Sequence, residues 1–190
     1  MKKGIIVFKG KYGATRQYAQ WLGQELDLAY QEADQMTDEL LSRYDFVIIG
    51  SSVYYGKLLL SSFLTKHFNV LSAKKLFVFI VCATPDSDEK TQSLIVKDNI
   101  PRLITDRSNI FFLPGRLILK ELGLTDRILL RVAAAFEKDP LNKQGMLNGI
   151  DGVREENLID LIIAATMYSL VKTNSHSDLK RSGAANRHSI

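Results

Sequence analysis

A single cysteine, Cys82, stands in the whole sequence, so no disulfide can form within the chain and the fold must hold by its core alone. That usage fits a reducing, cytoplasmic setting, and the apolar run around Cys82 reads it as a small buried hydrophobe. Histidine is almost as scarce. His67 lies in an amphipathic stretch and His176 and His188 lie near the end, so no metal-ligand cluster is expected from them. No apolar run reaches the about twenty residues needed to cross a bilayer. The opening MKKGIIVF lacks the length and the cleavage site of a signal peptide and is read as a first strand. Large charge is missing too: the formal net charge is +4, of which residues 173–190 hold +2 through Lys180, Arg181 and Arg187 against Asp178. The remaining +2, without a basic stripe interleaved with aromatics, gives no reason to expect nucleic acid. Also absent are G-x-x-x-x-G-K-[ST] and G-x-G-x-x-G, so a nucleoside triphosphate or a dinucleotide is a poor first expectation.

What is present has the size and rhythm of one domain. A chain of 190 residues buries roughly two-thirds to three-quarters of its unfolded surface without staples. Apolar runs of strand length at residues 5–8, 45–51, 76–83 and 109–113, with a weaker one at 28–33 suited to an outer strand, alternate with helical patterns. Thr15, Tyr18, Ala19, Leu22 and Leu26 share one helical face; Leu60, Phe63, Leu64 and Phe68 repeat that spacing, and a third helix is expected between Ser87 and Thr105. The expected fold is α/β: a doubly wound, five-stranded parallel sheet with helices on both faces, binding ligands at the carboxyl ends of its strands.

Two strand ends carry the chemistry. The segment GIIVFKGKYGATRQ (residues 4–17) runs a strand through Lys9, Gly10, Lys11, Tyr12, Gly13, Ala14 and Thr15 into a helix. Unpaired N–H groups and the dipole at a helix N-terminus stabilise a phosphate there, the glycines let the loop lie close to it, and Thr15 adds a hydroxyl. The segment YDFVIIGSSVYYGK (residues 44–57) ends a buried strand in Ser51, Ser52, Val53, Tyr54, Tyr55 and Gly56. The loop Ala83, Thr84, Pro85, Asp86 follows the next strand; Asp86, Asp88 and Glu89 read more readily as acids that favour a helix start than as catalytic groups.

A late insertion, residues 114–149, separates the fifth strand from the final helix. In it the basic pairs Arg116/Lys120 and Arg127/Arg131 are spaced four apart, and Ile128, Leu129, Val132 and Phe136 occupy a different helical face from Arg127 and Arg131. Two readings stay open: a helix lying on an anionic membrane surface, or one packed on its own domain with a solvated basic face. The last helix, about residues 154–172, is apolar on nearly every side, so one face covers the sheet and the other meets the insertion or a second subunit in a homodimer. Residues 173–190 are polar and are expected to form a flexible tail.

Both strand ends and the insertion resemble the flavodoxin-domain family that includes menaquinone-dependent protoporphyrinogen oxidase, over nearly all of residues 1–172. The resemblance implies FMN as cofactor, with its phosphate held by Lys9 to Thr15, one side of its ring lined by Ser51 to Gly56 and the other by Ala83 to Asp86. It also implies an oxidoreductase passing electrons to a quinone, located in the cytoplasm or peripherally at the inner face of a membrane. The chain departs from that family in having Lys9-Gly10 where Ser-Thr is common and Tyr54 where arginine is common. No side chain is nominated as general acid or base. The alternatives are a soluble electron carrier and a flavin-free interaction module on the same fold.

Overall fold

Strands covered on both faces are apolar at consecutive positions, and this is how the runs noted above fold. The computed structural model describes residues 2–82 and 89–182. Within them β1 (Gly4–Lys9) passes into α1 (Ala14–Leu26), followed by β2 (Tyr30–Glu32), α2 (Asp38–Ser42), β3 (Phe46–Tyr54), the short β4 (Lys57–Leu58), α3 (Ser61–Lys66) and α4 (Phe68–Leu71). Next come β5 (Lys75–Cys82), α5 (Glu89–Asn99), α6 (Arg102–Thr105) and β6 (Ser108–Pro114). The last described elements are β7 (Arg116–Leu117), α7 (Leu124–Phe136), α8 (Pro140–Asn148), β8 (Ile150–Asp151) and α9 (Ile159–Ser182). Five strands pair in parallel in the order β2-β1-β3-β5-β6, and β4 turns back antiparallel on the end of β3. The doubly wound α/β fold expected from the sequence is the fold observed.

Alternate residues of each strand part to two cores. Val47, Ile49, Val78 and Ile80 join an aliphatic layer under α2 to α5, while Phe46, Ile48, Phe77 and Phe79 join an aromatic one under α1 and α9. The aromatic layer sets a steric rule for the sheet: a Cβ on Gly50 would lie 2.0 Å from the Phe79 ring, so a side chain there displaces a core aromatic.

Three element boundaries differ from the sequence expectation. The single helix expected over residues 60–68 is two, broken at His67, whose buried ring places Nδ1 2.5 Å from Asp38 Oδ1. The helix expected between Ser87 and Thr105 is interrupted before α6 because Pro101 has no N–H to donate and disfavours a helical residue before it. Finally, α9 runs on to Ser182 instead of stopping at Lys172, since polar composition alone does not end a helix and the first glycine after it is Gly183. Of the described part of α9, Ile159, Ile163, Met167 and Leu170 are exposed, so the insertion does not cover that stripe.

The insertion leaves and rejoins the sheet at one spot. Gly115 N–H donates to Cys82 O, and Gly152 N–H donates to Gly115 O at 3.1 Å. Tyr18 OH donates to Pro114 O, and Asn157 Nδ2 donates both to that hydroxyl and to Gly152 O, pinning the two ends to α1. Between them β7 and β8 pair as a two-stranded stalk that carries α7 and α8.

Candidate functional site

The first loop sets backbone and hydroxyl groups around the open N-terminus of α1. Gly13 caps α1 with φ +80°, a conformation open to glycine, and no side chain occupies the cap. The N–H groups of the first turn therefore point into the loop without an intrahelical partner. Thr15 is 1 % exposed, yet among the described residues its Oγ1 has no hydrogen-bond partner, and the same is true of Ser52 Oγ on the neighbouring strand. A buried hydroxyl left unpaired costs about 1–3 kcal/mol, so a phosphate taking hydrogen bonds from both groups and the helix end fits this arrangement. Gly10 lets Thr15 sit where it does: a Cβ there would come within 2.6 Å of Oγ1.

The second loop is a hairpin. β3 reaches Tyr54, turns at Tyr55 (φ 48°) and Gly56 (φ 72°), and returns as β4, the two-residue connection that suits strand twist. A tyrosine in the left-handed region is strained, and the residue is 57 % exposed. The hairpin is fixed from below by Asn99 on α5: its Oδ1 accepts from Leu58 N–H, and its Nδ2 donates to Gly56 O and to Ile95 O. Ser51 is tied up as well, accepting from Leu60 N–H and donating to Ser52 O.

Above both loops lies the insertion, and together they enclose a cavity of about 510 Å³ at the carboxyl ends of β1, β3 and β5. Thr15, Ser52, Tyr54, Tyr55 and Cys82 form its floor and side, and Leu130, Ala133 and Met146 its roof. At the rim one carboxylate gathers the polar groups. Asp126, on the first turn of α7, accepts from Lys11 Nζ at 2.8 Å, from Tyr12 OH and from Tyr54 OH at 2.5 Å, with Tyr55 OH at 3.5 Å. Lys11 Nζ also stands 3.7 Å above the Tyr54 ring. The Lys11 ammonium, then the Tyr12 and Tyr54 hydroxyls, hold the Asp126 carboxyl well below the usual carboxylate range, and Asp126 in turn raises the Lys11 pKa. Desolvation first, then the hydrogen bond to Asp126, pushes the Tyr12 phenol up; desolvation and the bond to Tyr54 push Tyr55 up to about 12.

Of the residues nominated from sequence, Lys11, Tyr12, Ala14, Thr15, Ser52, Val53, Tyr54, Tyr55 and Gly56 meet at this cavity, with Gly13 at the adjoining cleft. Lys9 does not: its ammonium reaches Asp34 at the outer edge of the sheet. Ser51 and Gly10 support the loops from behind. Ala83, Thr84, Pro85 and Asp86 lie outside the described residues. Arg116 pairs with Asp151 across the stalk, Arg127 donates to Lys120 O, and Arg127 and Arg131 flank an outer face of α7. That outer face is apolar: Leu124, Ile128, Val132 and Phe136 are exposed, Leu124 by 76 % and Phe136 by 81 %. Sequence reading passed over Asp126 and Asn99. An acid in the first turn of α7 was visible, but its partners lie 72 and 115 residues away in the chain.

A family model described as Flavodoxin domain matches residues 5–144. No curated protein matches the sequence. Among solved structures, oxidised flavodoxin 2 from Bacillus cereus is 23% identical at a TM-score of 0.44, covering 60% of this chain and 83% of its own. Oxidised flavodoxin 1 from the same organism is 15% identical at 0.43, covering 60% and 84%. A flavoprotein in complex with FMN from Lactobacillus acidophilus NCFM is 17% identical at 0.42, covering 60% and 93%.

Proposed function

Because the chain belongs to the flavodoxin-domain family, we propose that it binds FMN in the 510 Å³ cavity and works as an FMN-dependent oxidoreductase. The observation that carries this reading is the pair of buried, unpartnered hydroxyls, Thr15 and Ser52, beside the uncapped N-terminus of α1. Bound there, FMN supplies electron transfer at its ring. The chain supplies the rest: the first-turn N–H groups and Thr15 hold the phosphate, Tyr54 and Tyr55 offer aromatic surface whose faces disfavour added negative charge, and the roof of Leu130, Ala133 and Met146 excludes water. Those orphaned hydroxyls also speak against the flavin-free interaction module, which has no use for them.

The proposed electron acceptor is a membrane quinone, with protoporphyrinogen among the donors to be tried. What supports it is the exposed apolar face of α7 on the roof of the cavity, edged by Arg127 and Arg131, which suits contact with an anionic lipid surface holding such a carrier. Among the described residues no helix is long and apolar enough to cross a membrane, and the contact is proposed as a peripheral one.

Titration of the flavin-free protein with FMN, followed by flavin fluorescence, tests the reading. One-to-one quenching is expected, weakened about tenfold in Thr15→Val by loss of a charge-assisted hydrogen bond. Folded protein that leaves FMN fluorescence unchanged rules the proposal out.

A further inference from the structure

The insertion is held over the cavity in an uneven way. Its two ends are pinned by Tyr18 and Asn157, and its stalk is the short β7/β8 pair, which α8 enters through Gly149 at φ +85°. Neither of the two hydrophobic cores of the sheet includes a described residue of α7 or α8. At the far end of the stalk, α7 is joined to the first loop and to the aromatic hairpin through Asp126: one ion pair to Lys11 and hydrogen bonds from Tyr12 and Tyr54. An element with little apolar burial against the rest of a domain, fastened by polar contacts at one end, opens more readily than the sheet beneath it.

The position of these contacts gives them a consequence for the ligand. Lys11, Tyr12, Tyr54 and Asp126 line the rim of the cavity, between the anion site at α1 and solvent. A molecule seated with its phosphate at Thr15 has this cluster across its way out.

From this we infer that α7 and α8 form a lid that swings on the β7/β8 stalk, and that Asp126 is its catch, governing how fast the cavity takes up and releases its ligand. The inference rests on the reading of the cavity as an FMN site, but the lid itself is measurable without flavin. Breaking the catch raises the population of the open form, so uptake and release both accelerate while affinity changes little. A group that merely held the ligand would act otherwise: its loss speeds release and weakens affinity in proportion.

Stopped-flow mixing with FMN and hydrogen exchange of the flavin-free protein, on wild type, Asp126→Asn and Asp126→Ala, decide the matter. Asp126→Asn keeps the shape of the side chain and so guards against a folding failure in Asp126→Ala. The expected result is association and dissociation rates both faster by about tenfold, with amides of residues 124–148 exchanging about tenfold faster and those of β1, β3 and β5 unchanged. Asp126→Glu restores part of the protection. Release alone accelerated, with exchange of residues 124–148 as in wild type, overturns the lid. If the wild type binds no FMN, the function proposed above fails, and the exchange data alone decide the lid: faster exchange in residues 124–148 upholds it and unchanged exchange removes it.

Discussion

Asn99 shows how much of the site depends on a side chain that does not touch it. It is buried, makes three hydrogen bonds and holds the Tyr54–Tyr55–Gly56 turn against α5. Asn99→Ala is expected to cost about 1–3 kcal/mol, because the turn's N–H and C=O groups lose buried partners. A denaturant midpoint unchanged from wild type would remove that role. Tyr55 works in the opposite direction, since its backbone sits in the left-handed region. Tyr55→Asn should raise stability by about 1 kcal/mol on urea titration, asparagine tolerating that conformation better. The clasp has its own pH signature. Asp126 has a lowered pKa, so its contribution is present above the ordinary carboxylate pKa near 4 and fades as pH falls through the lowered value; Lys11 has a raised pKa, so its contribution is present below about 10 and fades as pH rises through the raised one. Protection of the α7 amides, corrected for intrinsic exchange, should therefore stay level between about pH 5 and 9. A step near 6.5 would point to histidine instead.

Among the elements, α7 carries two apolar faces. Leu130 and Ala134 turn inward, while Leu124, Ile128, Val132 and Phe136 face outward. If the outer face meets lipid, Ile128→Glu with Val132→Glu should abolish co-flotation with vesicles containing anionic lipid and leave the melting temperature within about 2 °C, since both positions are exposed. Retained flotation in that variant, or none in wild type, would sink the membrane contact. The strands show why so much could be read beforehand. A buried parallel strand is apolar at every position, so β1, β3 and β5 declare themselves locally, as do Gly13 at the start of α1 and Gly56 in the turn. The break falls at His67, whose ring meets Asp38, 29 residues distant, and no periodicity reports that contact. Likewise Lys9 looked like part of the phosphate loop from its neighbours, but the strand ends there and its side chain leaves for Asp34. Local pattern gave the loops and their backbone; which side chains converge was decided by the way the insertion folds back over them.

For the molecule as a whole, two layers of different character support one working edge. The aromatic layer under α1 and α9 fixes the helix whose N-terminus is the proposed phosphate site, and the aliphatic layer under α2 to α5 fixes the hairpin through Asn99. Apart from the Asp126 contacts at the rim, the insertion meets this framework at Pro114, Gly115 and Gly152, where the outgoing and returning chains are themselves hydrogen-bonded. A detour that begins and ends at the same point adds almost no constraint to the path of the sheet, and lengthening or shortening it changes the closure entropy only slowly. Removing residues 116–151 and joining Gly115 to Gly152 should thus leave a domain that still melts cooperatively by circular dichroism. That outcome would make the insertion an exchangeable cartridge: the sheet and the first loop persist, while the surface offered to the outside world is rewritten in one continuous stretch of sequence.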